Sequence, residues 1–133
     1  MTLSELGRKY YVDESLNCAQ AVFLAVNEKY NLGYTKLDAQ LMSGFGGGMG
    51  CGDTCGALTG GFAILGKLIL KENEMKSEEL KATIENFRNE FRIICKSTYC
   101  KDLEPIYKIA PPVSCAKTVM IACEVLEKIL EKR

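Results

Sequence analysis

Apolar residues recur along this chain at intervals of three and four positions, the spacing that places side chains on one face of an α-helix. Two stripes are the longest: Leu80, Ile84, Phe87, Phe91 and Ile94, and then Cys115, Val119, Ala122, Leu126 and Ile129. No segment shows the two-residue alternation that is typical of a β-strand. The pattern therefore predicts an all-α protein.

Capping residues and helix breakers divide this pattern into segments. We expect helices over residues 2–11, over 17–30 with Ser15 or Asn17 as N-cap, from Thr35 or Asp38 toward Met42, from Asp53 or Thr54 to Leu70, from Ser77 to Ile94, and after Pro111-Pro112 to about Leu130. The expected architecture is a compact single-domain bundle of five or six helices.

A glycine cluster interrupts the helical pattern at residues 44–50, which read Gly-Phe-Gly-Gly-Gly-Met-Gly. Glycine loses more conformational freedom on folding than any other residue, so this composition disfavours a regular element. We expect a glycine-rich loop here, at the N-terminus of the fourth helix.

Length and charge narrow the range of functions. The chain has 133 residues and 47% hydrophobic content, which suits one packed domain over residues 1–133. Seventeen Lys and Arg balance seventeen Asp and Glu, so no excess positive charge favours nucleic acid. The first residues lack the apolar run of a signal peptide, and the apolar stretch 57–70 is shorter than the ~20 residues of a membrane span. We expect a cytoplasmic protein with neither nucleic acid nor a membrane as partner.

Cysteine is the residue type that points to chemistry. The chain has seven cysteines, an odd number that excludes complete pairing within one chain, and no histidine. In a reducing compartment such cysteines are more often metal ligands or catalytic thiols than structural disulfides. The lack of histidine excludes a Cys-His catalytic pair, a histidine-containing zinc site and c-type haem attachment.

Cys55 has the most unusual surroundings. With Asp53 or Thr54 as N-cap, Cys55 would lie in the first turn of a helix, where free backbone N–H groups and the positive end of the helix dipole lower the pKa of a thiol. Cys51 precedes it by four residues and is either its redox partner or a loop thiol. A lowered thiol pKa is therefore expected at Cys55.

Glycines surround this cysteine. Gly50, Gly52 and Gly56 have no side chain to shield the backbone, so that another sulfur, a substrate, a cofactor or a metal could approach it closely. We take these three glycines as candidate binding positions.

The remaining cysteines fall into two groups. Cys18, Cys100 and Cys115 lie at or near predicted helix starts, and convergence of these starts with that of Cys55 would gather sulfurs in one electropositive pocket. Such a pocket would suit disulfide exchange, electron transfer or soft-metal binding. Cys95 and Cys123 lie on apolar stripes, so we expect them in the core.

This arrangement resembles the redox-active protein family named for its C_GCAxxG_C_C pattern. The matching features are Cys18 in an early helix, the segment Cys55–Gly60, and the later Cys100 and Cys115, so the resemblance spans almost the whole chain. It implies that these cysteines carry redox activity. Some members of the family resemble a domain of a split-Soret cytochrome, and selenocysteine replaces a cysteine in some relatives, as suits a reactive chalcogen.

Two features depart from the family label. The label places glycine before Cys-Ala, whereas this chain reads Thr54-Cys55-Gly56-Ala57, and Cys51 and Cys95 are additional cysteines.

Three functions are compatible with these residues. The first is intracellular thiol–disulfide or electron-transfer chemistry, as in a thiol-dependent oxidoreductase, in which Cys55 attacks or is oxidised and Cys51, Cys18, Cys100 or Cys115 resolves it. The second is a binding module in which Cys18, Cys55, Cys100 and Cys115 hold an iron–sulfur cluster or zinc, although zinc ligands usually come in closer pairs. The third is a structural helical protein with buried free thiols.

The partner in the first case would be a redox protein or a small-molecule thiol or oxidant. A homodimer is an alternative to a monomer, because so small a bundle can complete a pocket with a second subunit.

Overall fold

Two helix starts show how the sequence directs the local structure. The Asn17 side chain accepts a hydrogen bond from the backbone N–H of Gln20 at 2.8 Å, and the Gln20 side chain accepts one from the N–H of Asn17 at 3.0 Å. This capping box satisfies two N–H groups that a helix start leaves free. Ser77 likewise accepts a hydrogen bond from the N–H of Leu80 at 3.1 Å. The predicted caps Asn17 and Ser77 are thus confirmed.

The structure is a computed structural model that describes residues 1–133. The α-helices are α1 (Leu3–Arg8), α2 (Cys18–Tyr30), α3 (Gly56–Ile69), α4 (Glu78–Cys95), α5 (Cys100–Tyr107) and α6 (Ala116–Glu131). A π-helical turn, Lys9–Asp13, continues α1, and a 3-10 helix, Lys36–Phe45, lies between α2 and α3. There is no β-strand, and one isolated antiparallel bridge joins Thr54 to Tyr99. The prediction of an all-α protein is confirmed.

Several boundaries differ from the predicted ones. α3 begins at Gly56 rather than after Asp53 or Thr54, because residues 53–55 pair with residues 98–100 instead of turning into the helix. The expected helices gave no range for α5, although Cys100 was placed near a helix start; its eight residues contain Pro105 and carry no long apolar stripe. The third expected helix is a 3-10 helix, and α6 begins only after a turn that follows the two prolines.

The glycine cluster forms a compact left-handed turn, so the predicted irregular loop is not confirmed. Gly47, Gly48, Met49 and Gly50 have φ values between 60° and 72°. The turn closes where the N–H of Asp53 donates to the carbonyl oxygen of Gly48 at 3.0 Å. Positive φ has no steric cost for glycine, which explains why the turn is built almost entirely from this residue.

One hydrophobic core connects the helices. α2 packs against α1, α3 and α6, while α4 covers α3 and α6. All six α-helices contribute to a single cluster of 27 buried residues. None of the helices combines the length and the apolar character that crossing a bilayer requires.

α2 and α3 approach each other backbone to backbone. A Cβ atom at Gly60 would lie 2.6 Å from the Cα of Ala19, and a Cβ atom at Gly56 would lie 3.2 Å from the Cβ of Cys18. Only a residue without a side chain permits the contact at Gly60. The start of α2 therefore lies beside the start of α3.

Candidate functional site: a cavity lined by four cysteines

Four cysteines line one small cavity. They are Cys18, Cys55, Cys100 and Cys115, and the cavity has a volume of about 20 Å³, which leaves no room for a substrate. All seven cysteines of the chain are free thiols in this structure. The structure thus brings together the four cysteines that the sequence placed at or near helix starts, and whose convergence was a hypothesis. We call this space the inner cavity.

Each of the four cysteines stands at the start of a different helix. Cys18 and Cys100 are the first residues of α2 and α5, and Cys55 and Cys115 are the residues immediately before α3 and α6. Cys55 is therefore the N-cap of its helix and not, as predicted, a residue of the first turn. Four helix N-termini, with their free N–H groups and positive dipole ends, therefore lie around the same cavity.

A short backbone pairing places Cys55 next to Cys100. The N–H of Cys55 donates to the carbonyl oxygen of Thr98 at 2.8 Å, and the N–H of Cys100 donates to the carbonyl oxygen of Asp53 at 2.7 Å. These two bonds form the antiparallel bridge between Thr54 and Tyr99. Side chains alternate between the two faces of such a pair, so Cys55 and Cys100 lie on the same face.

Of the three candidate glycines, only Gly56 lines the inner cavity. Gly50 has no atom within 4 Å of the position where its Cβ would be, and Gly52 packs against Lys101 instead. The glycines that the sequence analysis missed are Gly47 and Gly48, which both line the inner cavity.

The other three cysteines lie elsewhere. Cys51 is exposed, does not line the inner cavity, and contacts the carbonyl oxygen of Gly48 with its sulfur at 3.5 Å. Cys95 and Cys123 are 1% and 0% exposed and belong to the hydrophobic cluster, which confirms their prediction as core residues.

Burial raises the pKa of the inner thiols. The pKa of Cys55 rises from the ordinary 9.0 to about 11, because burial removes water from the thiolate, and the backbone N–H of Ala57 and the hydroxyl of Thr118 lower it only in part. Burial also raises the pKa of Cys18 well above its ordinary value, and the neighbouring Cys55 adds to that effect. The prediction of a lowered pKa at Cys55 is therefore wrong, since desolvation outweighs the helix N-terminus.

Burial and one pair of charges act on the pKa values of both Cys100 and Cys115. Burial is the main cause that raises the pKa of each thiol, and the Glu104 carboxylate raises both further, while the Lys108 ammonium lowers both. Glu104 and Lys108 are one helical turn apart at the C-terminal end of α5, where Lys108 is the C-cap, and they form an ion pair at 3.1 Å. The two charges thus act in opposite directions on the same two thiols.

A larger outer cavity opens beside the inner one. It has a volume of about 240 Å³ and is lined by Cys18, Cys100 and Cys115 but not by Cys55, which is 4% exposed. The other lining residues are Tyr11, Leu16, Asn17, Gly47, Glu104, Lys108 and Ser114. Cys55 therefore lies behind the other three cysteines as seen from solvent.

Two polar residues that bond to the backbone of Cys115 were not predicted from the sequence. The Tyr11 hydroxyl accepts a hydrogen bond from the backbone N–H of Cys115 at 3.2 Å. The buried Thr118 hydroxyl donates to the carbonyl oxygen of Cys115 at 2.9 Å and lines the inner cavity. Thr118 follows Cys115 by three residues, a helical spacing visible in the sequence, whereas the π-helical turn that contains Tyr11 leaves no comparable signal.

The four thiols do not fit the alternative of a metal centre. No group of three or more Cys, Asp or Glu side chains has a geometry that could hold a metal ion. The four sulfurs surround a small space without forming such a group.

The fold is all-helical, and four cysteines surround one cavity, so the protein belongs to the class of helical proteins with a cysteine site. Comparison of the sequence with protein families identifies the family. The model of the family described as "Putative redox-active protein (C_GCAxxG_C_C)" matches residues 16–129. The chain belongs to this family, and the matched segment contains all four cysteines of the site. No curated protein and no solved structure matches the chain.

Proposed function

We propose that this protein is an intracellular thiol-dependent oxidoreductase that cycles between a dithiol and a disulfide at the four-cysteine site. The observation that carries the proposal is that Cys18, Cys55, Cys100 and Cys115 come from four separate helix starts and line one cavity. Cysteines that serve only as small core residues have no need to meet, as Cys95 and Cys123 illustrate. The family description supports the same class of chemistry.

The raised pKa values favour disulfide formation over storage of thiolates. Thiolates at Cys18 and Cys55 would be poorly hydrated, and a thiolate at Cys55 would further raise the cost of ionising Cys18. A disulfide carries no charge, so oxidation releases the thiol protons without leaving a poorly hydrated thiolate in the buried site. The buried part of the site therefore suits a two-electron change in which the thiols lose two protons.

The reaction can be written as thiol–disulfide exchange with an external disulfide R–S–S–R. A protein thiolate attacks one sulfur of this bond, forms a mixed disulfide and releases R–S⁻. A second protein thiol, once deprotonated, attacks the mixed disulfide, forms the protein disulfide and releases the second R–S⁻. The two protein protons pass to the two leaving thiolates, so one disulfide is reduced to two R–SH for each protein disulfide formed.

The order of the thiols follows from the two cavities. Cys18, Cys100 and Cys115 line both cavities, but burial raises the pKa of Cys18 well above its ordinary value, so we assign the first attack on the substrate to Cys100 and Cys115. Cys55 lines only the inner cavity and is assigned the resolving role. This reverses the order expected from the sequence, in which Cys55 attacked first.

The test is a titration of the reduced protein, purified without oxygen, with bis(2-hydroxyethyl) disulfide. We expect two thiols to be lost per protein molecule, and peptide mass spectrometry should map the new disulfide within the four-cysteine site. The double variant C100S/C115S should lose the fast phase of this reaction. C51S should behave as the wild type, because Cys51 is exposed and lies outside the inner cavity.

Three outcomes would contradict the proposal. Uniformly slow thiols that form no internal disulfide would leave a structural role for the cysteines. A disulfide that requires Cys51 would restore the neighbouring pair of Cys51 and Cys55 as the redox centre. Stoichiometric iron or zinc in the purified protein would favour the metal-binding alternative.

A further inference from the structure

The outer cavity presents one charge of each sign next to its thiols. Of all the residues that line it, Glu104 and Lys108 are the charged ones, while Asn17, Ser114 and Tyr11 contribute neutral polar groups. The Glu104 carboxylate and the Lys108 ammonium act electrostatically on both Cys100 and Cys115, so both charges lie close to the sulfurs that we assign the first attack.

The charge pair can exchange partners. The side chains of Lys108 and Glu104 are 52% and 42% exposed, and their ion pair joins residues on the surface of α5. Exposed ion pairs contribute little to stability, so each charge can bind a group of opposite charge on a ligand instead. A ligand that brings one ammonium and one carboxylate would satisfy both side chains.

The size of the outer cavity limits what it can hold. Its volume of about 240 Å³ is below that of most sites for drug-sized ligands, which run from roughly 300 to 1,000 Å³. It therefore suits a small molecule rather than a folded partner. A molecule with only negative charges would face Glu104, and one with only positive charges would face Lys108, so either would meet repulsion as well as attraction.

We propose that the outer cavity binds a small disulfide in which each half carries an ammonium and a carboxylate group, as in an amino-acid disulfide. The ammonium pairs with Glu104 and the carboxylate pairs with Lys108, which leaves the sulfur–sulfur bond facing Cys100 and Cys115. This inference rests on the proposed thiol redox function and names its substrate class. The protein dithiol becomes a disulfide, and the bound disulfide is reduced to two amino-acid thiols.

The experiment compares four small disulfides that differ in charge. These are L-cystine (one charge of each sign on each half), cystamine (positive), 3,3′-dithiodipropionate (negative) and bis(2-hydroxyethyl) disulfide (neutral). The reduced protein is mixed with each disulfide, and the rate at which the protein loses thiols is divided by the rate at which the same disulfide reacts with free 2-mercaptoethanol. This division removes the intrinsic reactivity of each compound. We expect L-cystine to give the highest ratio.

Two variants that each remove one charge test which side chain binds which charged group of the disulfide. E104Q should reduce the preference for L-cystine over the negative 3,3′-dithiodipropionate. K108M should reduce the preference for L-cystine over the positive cystamine. Each rate preference should fall by about two- to fivefold, as expected for partly exposed charges. The swapped variant E104K/K108E keeps both charges on the helix and should retain the preference. E79Q, which removes a carboxylate of a distant surface ion pair, is the matched control and should change nothing.

The outcomes separate this inference from the proposed function. Equal ratios for all four disulfides, or ratios that E104Q and K108M leave unchanged, would overturn the zwitterionic substrate class while the thiol chemistry stands. Failure of all four disulfides to oxidise the protein would overturn the proposed function itself.

Discussion

A Cβ atom at position 48 would lie 2.7 Å from the Cβ of Cys100, so the backbone of Gly48 rests directly on the first residue of α5. The same atom would lie 2.6 Å from the backbone nitrogen of Asp53, the residue whose carbonyl oxygen binds the N–H of Cys100. The glycine turn therefore packs against Cys100 beside the inner cavity.

The first prediction concerns the contact between Gly48 and Cys100. Gly48→Ala should destabilise the protein by about 2–5 kcal/mol, because the left-handed backbone and the clash with Cys100 add together. Gly50→Ala is the matched control, since Gly50 also has positive φ but has open space where its Cβ would be. It should cost only the backbone contribution of about 1–2 kcal/mol. Urea unfolding of the reduced proteins measures both, and equal losses would show that the contact with Cys100 does not matter.

The second prediction concerns the contact between α2 and α3. Gly60→Ala should lower the melting temperature, because its Cβ would lie 2.6 Å from the Cα of Ala19 and would push α2 away. Overpacking of this kind costs about 1–3 kcal/mol. Gly66, on the same helix, has nothing within 4 Å of its Cβ position, so Gly66→Ala should instead raise the melting temperature, by the ~0.5–1 kcal/mol that alanine gains over glycine in a helix. Melting temperatures that shift in the same direction would contradict this reading.

The third prediction concerns stability at high pH. The pKa of Cys55 rises from 9.0 to about 11 on folding, so the folded protein keeps this proton when the unfolded chain has lost it. The resulting stabilisation is complete below pH 9 and is lost as the pH rises through about 11. A shift of two units corresponds to about 3 kcal/mol.

Urea unfolding under reducing conditions, from neutral to alkaline pH, tests this linkage. The free energy of unfolding should fall above pH 9, and Cys55→Ala should make the fall shallower. Cys51→Ala is the control, because Cys51 is exposed, and it should leave the slope unchanged. A fall that is as steep in Cys55→Ala as in the wild type would show that Cys55 is not the group responsible.

The fourth prediction concerns the ion pair on α5. Lys108 lowers the pKa values of Cys100 and Cys115, so Lys108→Met should raise them, reduce the thiolate fraction near neutral pH and slow alkylation by iodoacetamide. Glu104→Gln should speed the same reaction, because the carboxylate raises both pKa values. Each change should be about two- to fivefold, since both charges are partly exposed. Mass spectrometry of the labelled peptides gives the rate at each cysteine, and rates that move together in both variants would be inconsistent with opposite charge effects.

Local features of the chain could be predicted from the sequence because they depend on neighbouring residues. Asn17 and Ser77 cap their helices with hydrogen bonds to residues three positions away. Cys95 and Cys123 repeat with the apolar stripe of their helices, and they lie in the core accordingly. For α5 the sequence indicated only a start near Cys100 and no extent, since its position depends on a distant part of the chain: the N–H of Cys100 donates to the carbonyl oxygen of Asp53.

The chemistry of Cys55 shows where reasoning from the sequence fails. A position at a helix start predicts a lowered thiol pKa, and Cys55 does stand at a helix start. Its pKa is nevertheless raised, because the packing of other helices removes water from the sulfur. Desolvation depends on what covers a group, and no pattern around residue 55 contains that information.

The sequence by itself determined the helical periodicity, the caps Asn17 and Ser77, the two core cysteines and the resemblance to a redox-active family, because these depend on residue type and short spacing. Only the tertiary structure decided that Cys18 and Cys115, from opposite ends of the chain, share a cavity with Cys55 and Cys100. It also decided which thiols face the outer cavity and how their pKa values shift. Burial and electrostatic interaction depend on distances through space, which are established when distant helices pack together.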